Sequence, residues 1–165
     1  MRVFTLWALA AFVIDQISKY VVIHIMELAR IRSIDVFPPY LNFRYGENRG
    51  INFGLFSGGS ETSRWILITL GVVICMAVTL WLRRSGQPRL AMISGGLLVG
   101  GALSNVLDRL MYGYVLDLLN NGLPGWNNPF VYNIADLFIF AGAIGLILFS
   151  HDKKGARKPP AKKRQ

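Results

Sequence analysis

The chain has 165 residues, 53% of them hydrophobic and 16% charged, with a mean hydropathy of +0.40. Ordinary soluble domains rarely combine so much apolar content with so little charge, so the composition excludes a water-soluble globule and indicates a membrane protein. A formal charge of +9 would suggest nucleic acid in a soluble chain. Here its placement along the sequence points to a membrane face instead.

Four segments are apolar and long enough to cross a hydrocarbon layer of about 30 Å, which takes roughly 20 helical residues. The first, Val3 to Ile25, runs past the length of a secretory signal, contains Asp15 and Lys19, and has no small-residue cleavage site, so it reads as a permanent helix. Asp15 and Lys19 are four residues apart with the acid first, the favourable order for a helical ion pair. Their simplest role is mutual neutralisation that tethers helices.

The loop from 26 to 64 follows. Within it LNFRY (41–45) and INFGL (51–55) alternate apolar and polar residues around GENRG, which has turn composition. The pattern predicts a hairpin-like strand pair on the membrane surface. The second apolar segment, Trp65 to Leu82, holds the chain's single cysteine, Cys75, among aliphatic residues, where a thiol packs as a small hydrophobe.

The third segment, Leu90 to Met111, carries Asn105, Asp108 and Arg109 on one helical face, with Gly101 a turn earlier permitting close approach of another backbone. Polar groups of this kind are costly in lipid, so each is expected to face a partner or a wet cavity. Asp117 lies nine residues past Asp108, which on an unbroken helix would turn it to the opposite face. Gly113 offers a break that lets it swing back from an extended segment. The loop 112–131 continues through NNGLPGWNNP, a turn-rich stretch that could be a lid or a plain connector, with Trp126 expected at headgroup level.

The fourth segment, Tyr132 to Ser150, opens with YNIAD. Asn133 is placed as an N-cap and Asp136 as the third helical residue, where a carboxylate closes a capping box and meets the positive end of the helix dipole. Capping alone would leave Asp136 ionised and structural. Basic residues Arg2, Arg83, Arg84 and Arg89 and the tail HDKKGARKPPAKKRQ flank helix ends on one side, whereas 112–131 has no Lys or Arg. The positive-inside rule therefore puts both termini in the cytoplasm and both long loops outside. The tail, 151–165, is expected to be a disordered anchor attracted to anionic lipid. Asp117 and Asp136 then fall near the outer surface, where two carboxylates held together in a low-dielectric pocket share a proton and can activate water. That spacing alone is unspecific.

A more specific signal comes from the motifs DQISK (15–19), NRGINF (48–53), GGALSNVLDR (100–109), YVLD (114–117) and YNIAD (132–136). In order, spacing and helix count the chain resembles the bacterial lipoprotein signal peptidases, the signal peptidase II family, over essentially residues 1–150. The resemblance implies an all-α inner-membrane aspartic endopeptidase with four transmembrane helices and a small extracytoplasmic sheet; the compact layout argues for one domain over 1–150, expected to be a monomer. It implies Asp117 and Asp136 as the catalytic pair, with Asn48, Gly50, Asn105, Asp108, Arg109 and Asn133 lining or supporting the site. Asp15 and Lys19 match a box that supports the architecture. The implied substrate is a prolipoprotein cut on the N-terminal side of a diacylglyceryl-modified Cys, with membrane lipids as surroundings, no nucleic acid partner and no cofactor. No metal is expected either, since His24 and His151 fall at opposite faces. Ser104 stands where the family has Gly, Asn52 where a small residue is usual, and VLDL and YNIAD replace Phe-containing forms; these departures bear on pocket shape and substrate preference.

The rival reading is a small ion-coupled transporter with Asp15, Lys19, Asp108, Arg109 and Asp136 as a relay. The crowding of ionisable groups toward one face and the lack of an inverted repeat weigh against it. A metal-dependent headgroup transferase is disfavoured by the missing cluster of Asp and Gly.

Overall fold

A computed structural model describes residues 1–50, 61–126 and 128–150. Helix α1 (Arg2–Lys19) passes directly into a π-helical turn, Tyr20–Ile25, and a single turn, α2 (Leu28–Ile31). Strands β1 (Ser33–Phe37) and β2 (Leu41–Asn48) precede α3 (Glu61–Ser85) and α4 (Arg89–Tyr112). Strand β3 (Val115–Asn120) and helix α5 (Ile134–Phe149) complete the described chain. Three of the helical stretches are long and apolar enough to cross a membrane. The fourth, α5, has 16 residues, about 24 Å of helix and shorter than the expected span from Tyr132, because the chain ahead of Asn133 is extended and pairs with β3.

Helix α4 is the centre of the bundle and packs against α1, α3 and α5. Small residues make this possible. A Cβ on Gly101 would sit 2.6 Å from the Ala135 carbonyl oxygen, and one on Gly100 would collide with the Ala8 carbonyl. Backbones this close gain dispersion contacts along their length, the main attraction available between helices in lipid. By contrast α3 packs chiefly on α4 and leaves Trp65, Leu70, Val73 and Met76 exposed, as expected of a lipid-facing surface.

The chain is not purely helical. The sheet has three antiparallel strands in the order β1-β2-β3, and it corrects the expected hairpin. LNFRY does form a strand, but its partners are β1 and β3. The supposed turn GENRG does not begin at Gly46: Gly46, Glu47 and Asn48 stay in β2, opposite Asp117, Leu116 and Val115. Turn-forming composition yields here to the ladder offered by a distant segment. The other expected strand, 51–55, and the tail 151–165 lie outside the described residues.

Gly113 ends α4 with φ +85° as its C-cap, its N–H bonding the Arg109 carbonyl. A left-handed residue here turns the chain out of the helix and into β3. Nothing lies within 4 Å of a Cβ built on Gly113, so Gly113→Ala tests backbone strain alone. It is expected to lower stability by about 1–2 kcal/mol, read as the thermal midpoint in detergent, with Gly113→Asn losing less.

On the loop side of the bundle, Arg30, Arg49 and Arg64 each pair with a glutamate, Glu27, Glu47 and Glu61 respectively. These exposed pairs contribute little to stability. They do offset positive charge on the side of the bundle opposite the basic turn at Arg83, Arg84 and Arg89.

Candidate active site

The polar groups gather where α1 and α4 end and α5 begins, beneath β3. At their base Lys19 Nζ lies 2.7 Å from Asp15 Oδ2 and 2.7 Å from Asp108 Oδ2. All three side chains are buried. The expected Asp15–Lys19 pair is thus present, and Asp108 joins it while the adjacent Arg109 bonds the Asn105 carbonyl. Gln16 Nε2 donates to Asp108 Oδ1 at 2.8 Å, and the Ser104 hydroxyl donates to Asp15 Oδ2 at 2.6 Å. Among the described residues each polar contact to either carboxylate comes from a donor, so the two acids and the lysine satisfy one another's hydrogen bonds.

Two further carboxylates stand apart from this cluster. Asp117, 3% exposed on β3, accepts from Asn133 Nδ2 at 2.7 Å. Asp136 Oδ1 accepts from Asn105 Nδ2 at 3.0 Å, and its Oδ2 accepts from the Asn133 N–H at 3.2 Å. The Asn133 side chain in turn accepts from the Asp136 N–H, so the capping box expected from YNIAD is complete. One buried asparagine therefore joins both acids. It reaches Asp117 because Tyr132 pairs with β3: its carbonyl accepts from Leu118 and Leu119, and its N–H returns a bond to Leu119. That bridge delivers Asn133 alongside β3 just as α5 starts.

Burial, followed by the negative charge of Asp136, pushes the Asp117 carboxyl up from 3.8 to about 7, while hydrogen bonds from Asn133 and Asn48 pull the other way. Asn48 comes from β2, opposite Val115 and one pleat from Asp117, and it also turns onto the Gly50 N–H at 3.2 Å. Gly50 follows with φ +113°. Arg109 is half-buried on α4 and donates to the Asn105 carbonyl at 3.3 Å.

The structure thus brings together Asn48, Asn105, Arg109, Asp117, Asn133 and Asp136. Asp108 is fully buried, and its recorded bonds go to Gln16, Lys19 and the Leu116 N–H, so it lies behind the site wall rather than on it. Three participants escaped the sequence reading. Gln16 is a polar residue in an apolar helix and the rule that flagged Asp15 applies equally to it. Ser104 was noted only as a departure from a pattern. Arg64 donates to the Arg109 and Leu110 carbonyls at 2.7 and 3.0 Å and so ties α3 to the last turn of α4; no local pattern signals that role.

A membrane protein that joins two carboxylates through one asparagine, apart from its lysine-centred ion cluster, has the makings of an acid–base hydrolase working in or at the bilayer. Known proteins narrow the class. Residues 7–151 match the family described as signal peptidase (SPase) II. A lipoprotein signal peptidase of Rhodopseudomonas palustris is 36% identical over 163 residues, 97% of this chain and 98% of that one. Another from Alteromonas mediterranea is 37% identical over 155 residues, 93% and 82% of the two chains. A bacterial membrane enzyme solved in meso at 1.9 Å superposes with a TM-score of 0.74 at 27% identity, covering 88% of this chain and 90% of that one. The chain belongs to the signal peptidase II family of aspartic peptidases, and its activity is that of a lipoprotein signal peptidase.

Proposed function

We propose that Asp117 and Asp136 are the reacting pair, and that they cut a prolipoprotein on the N-terminal side of a Cys already carrying a diacylglyceryl group. The observation that carries this reading is the Asn133 bridge: one buried asparagine donates from its side chain to the Asp117 carboxylate and from its backbone N–H to the Asp136 carboxylate, while the other buried acids, Asp15 and Asp108, both pair with Lys19. Asp117, whose carboxyl is held up to about 7, carries the proton of the resting pair. Asp136, met by the Asn105 side chain and the Asn133 N–H, is the partner that serves as base.

In the reaction Asp136 takes a proton from water as the oxygen attacks the scissile carbonyl carbon, and Asp117 gives its proton to the carbonyl oxygen. The C–N bond of the resulting diol breaks as the proton on Asp136 passes to the departing amide nitrogen, and one diol hydroxyl returns its proton to Asp117 as the new carbonyl forms. Asn105 and Asn133 hold the two carboxylates in register, and Arg109 is placed to favour charge developing on the substrate backbone.

All four apolar helices span the membrane in this reading, with both termini cytoplasmic and the sheet and acid pair at the outer surface. A lipid-modified Cys anchored in the outer leaflet would present its peptide bond at that depth. The test uses purified protein in detergent with a diacylglyceryl-modified precursor and the same precursor unmodified. Cleavage before Cys, confined to the modified form, is the expected result; equal cleavage of the unmodified form would remove the lipid from the recognition.

A further inference from the structure

The Lys19 cluster does more than tether α1 to α4. Its two carboxylates each hold one backbone N–H, and the choice of amide is not arbitrary. Asp108 Oδ2 accepts from Leu116, the residue just before Asp117, at 3.1 Å. Asp15 Oδ1 accepts from Ala135, the residue just before Asp136, at 2.8 Å. One of these amides is in a strand and the other opens a helix, so no repeated local motif explains the coincidence. An ion pair needed only to tether helices would be complete without either bond.

Holding a peptide N–H fixes the plane of that peptide and the Cα of the residue that owns it, Leu116 or Ala135; the regular strand and helix conformations of β3 and α5 carry that placement one residue on, to Asp117 and Asp136. Lys19 Nζ then spans both carboxylates, so neither clamp can shift without moving the other. A third arm runs through Asn105, whose Oδ1 accepts from Lys19 at 3.2 Å while its Nδ2 donates to Asp136. Ser104 and Gln16 occupy further carboxylate lone pairs, which leaves the frame densely bonded and rigid.

We propose that Asp15, Lys19 and Asp108 are positioning residues that set the separation of Asp117 and Asp136 by clamping the peptide N–H ahead of each. This rests on the assignment of Asp117 and Asp136 as the reacting pair. The frame touches no reacting atom and acts through backbone geometry. Its signature is a loss of kcat at unchanged KM, recovered by any side chain that restores the acceptor.

The experiment compares wild type, Asp108→Ala and Asp108→Asn as full-length protein in detergent with a lipidated precursor, alongside Asp117→Asn. Asp108→Ala removes the Leu116 clamp; Asp108→Asn keeps one oxygen in position to accept that N–H. The expected result is a kcat about 10²-fold lower for Asp108→Ala, the scale of loss from misplacing a reacting group by an ångström. KM should stay within about twofold, and Asp108→Asn should recover most of the lost turnover.

Equal losses in both variants would make charge rather than the acceptor decisive and overturn the proposal, as would a wild-type kcat in folded Asp108→Ala or a loss confined to KM. Near-normal turnover by Asp117→Asn would instead remove the acid-pair reading beneath it. If Asp108→Ala does not fold, Asp15→Ala against Asp15→Asn repeats the comparison at the second clamp, and amide exchange on the wild-type protein decides independently. The Leu116 and Ala135 amides must both exchange slowly, and rapid exchange at either overturns the clamp.

Discussion

Asp117→Asn is expected to lower turnover by roughly 10²- to 10⁴-fold, the usual contribution of a general acid or base, and at the same time to make the folded protein more stable at pH 8. Both effects follow from the same burial. Dehydration, reinforced by the charge of Asp136, holds the Asp117 carboxyl up to about 7 against 3.8 for an ordinary one. The folded protein therefore binds this proton more tightly than the unfolded chain does. Its contribution to stability is complete below the unfolded value and is lost as pH rises through about 7. Wild type should thus become less stable between pH 5 and pH 8, by an amount on the order of a few kcal/mol.

Asparagine has no proton to lose, and its carbonyl can still accept from Asn133 Nδ2. The variant should show little of that slope. Thermal unfolding in detergent at the two pH values, beside a cleavage assay, reads both quantities. A variant that cleaves within tenfold of wild type would sink the role of Asp117. Asp136→Ala should be as inactive but differ in stability, since it also opens the capping box with Asn133 and costs about 1 kcal/mol. Opposite stability changes with a common loss of turnover would separate the two acids of one pair.

Lys19→Met is expected to destabilise the protein by roughly 3–5 kcal/mol, because it strands buried carboxylates without their cation. Asp15 and Asp108 are both fully buried, and water cannot replace the ammonium that lies 2.7 Å from each. The loss belongs to the leftover charge rather than to the attraction itself. Adding Asp15→Asn and Asp108→Asn to Lys19→Met should therefore recover much of the thermal midpoint. If the triple variant is no more stable than the single one, the cluster contributes through shape and hydrogen bonds, and its charges are incidental.

Much of this site could be read residue by residue. The apolar runs announced helices, and lone polar groups within them announced partners, because a dehydrated charge must find one. YNIAD spelled out its cap since the donors, acceptor and spacing all lie within four residues. The GENRG reading failed for the converse reason. A turn propensity is local, but the ladder that keeps Gly46, Glu47 and Asn48 extended is supplied by β3, about 70 residues away. The same distance hid the third strand, whose residues Val115 to Asn120 offer no alternation because all but Leu119 are buried.

By itself the sequence determined that the chain is a helical membrane protein, that Asp15 and Lys19 pair, that Asn133 caps a helix, and which two acids were candidates to react. Those properties depend on composition, on helical periodicity and on neighbours a turn apart. Only the tertiary structure decided that Asp108 turns to Lys19, that Asn133 joins Asp117 to Asp136, and that Asp15 and Asp108 hold the amides ahead of those acids. Such contacts join segments between 8 and 120 residues apart. Their geometry is set by how closely α1, α4 and α5 pack at small residues and by the register of Tyr132 on β3, and neither is written in any one stretch of the chain.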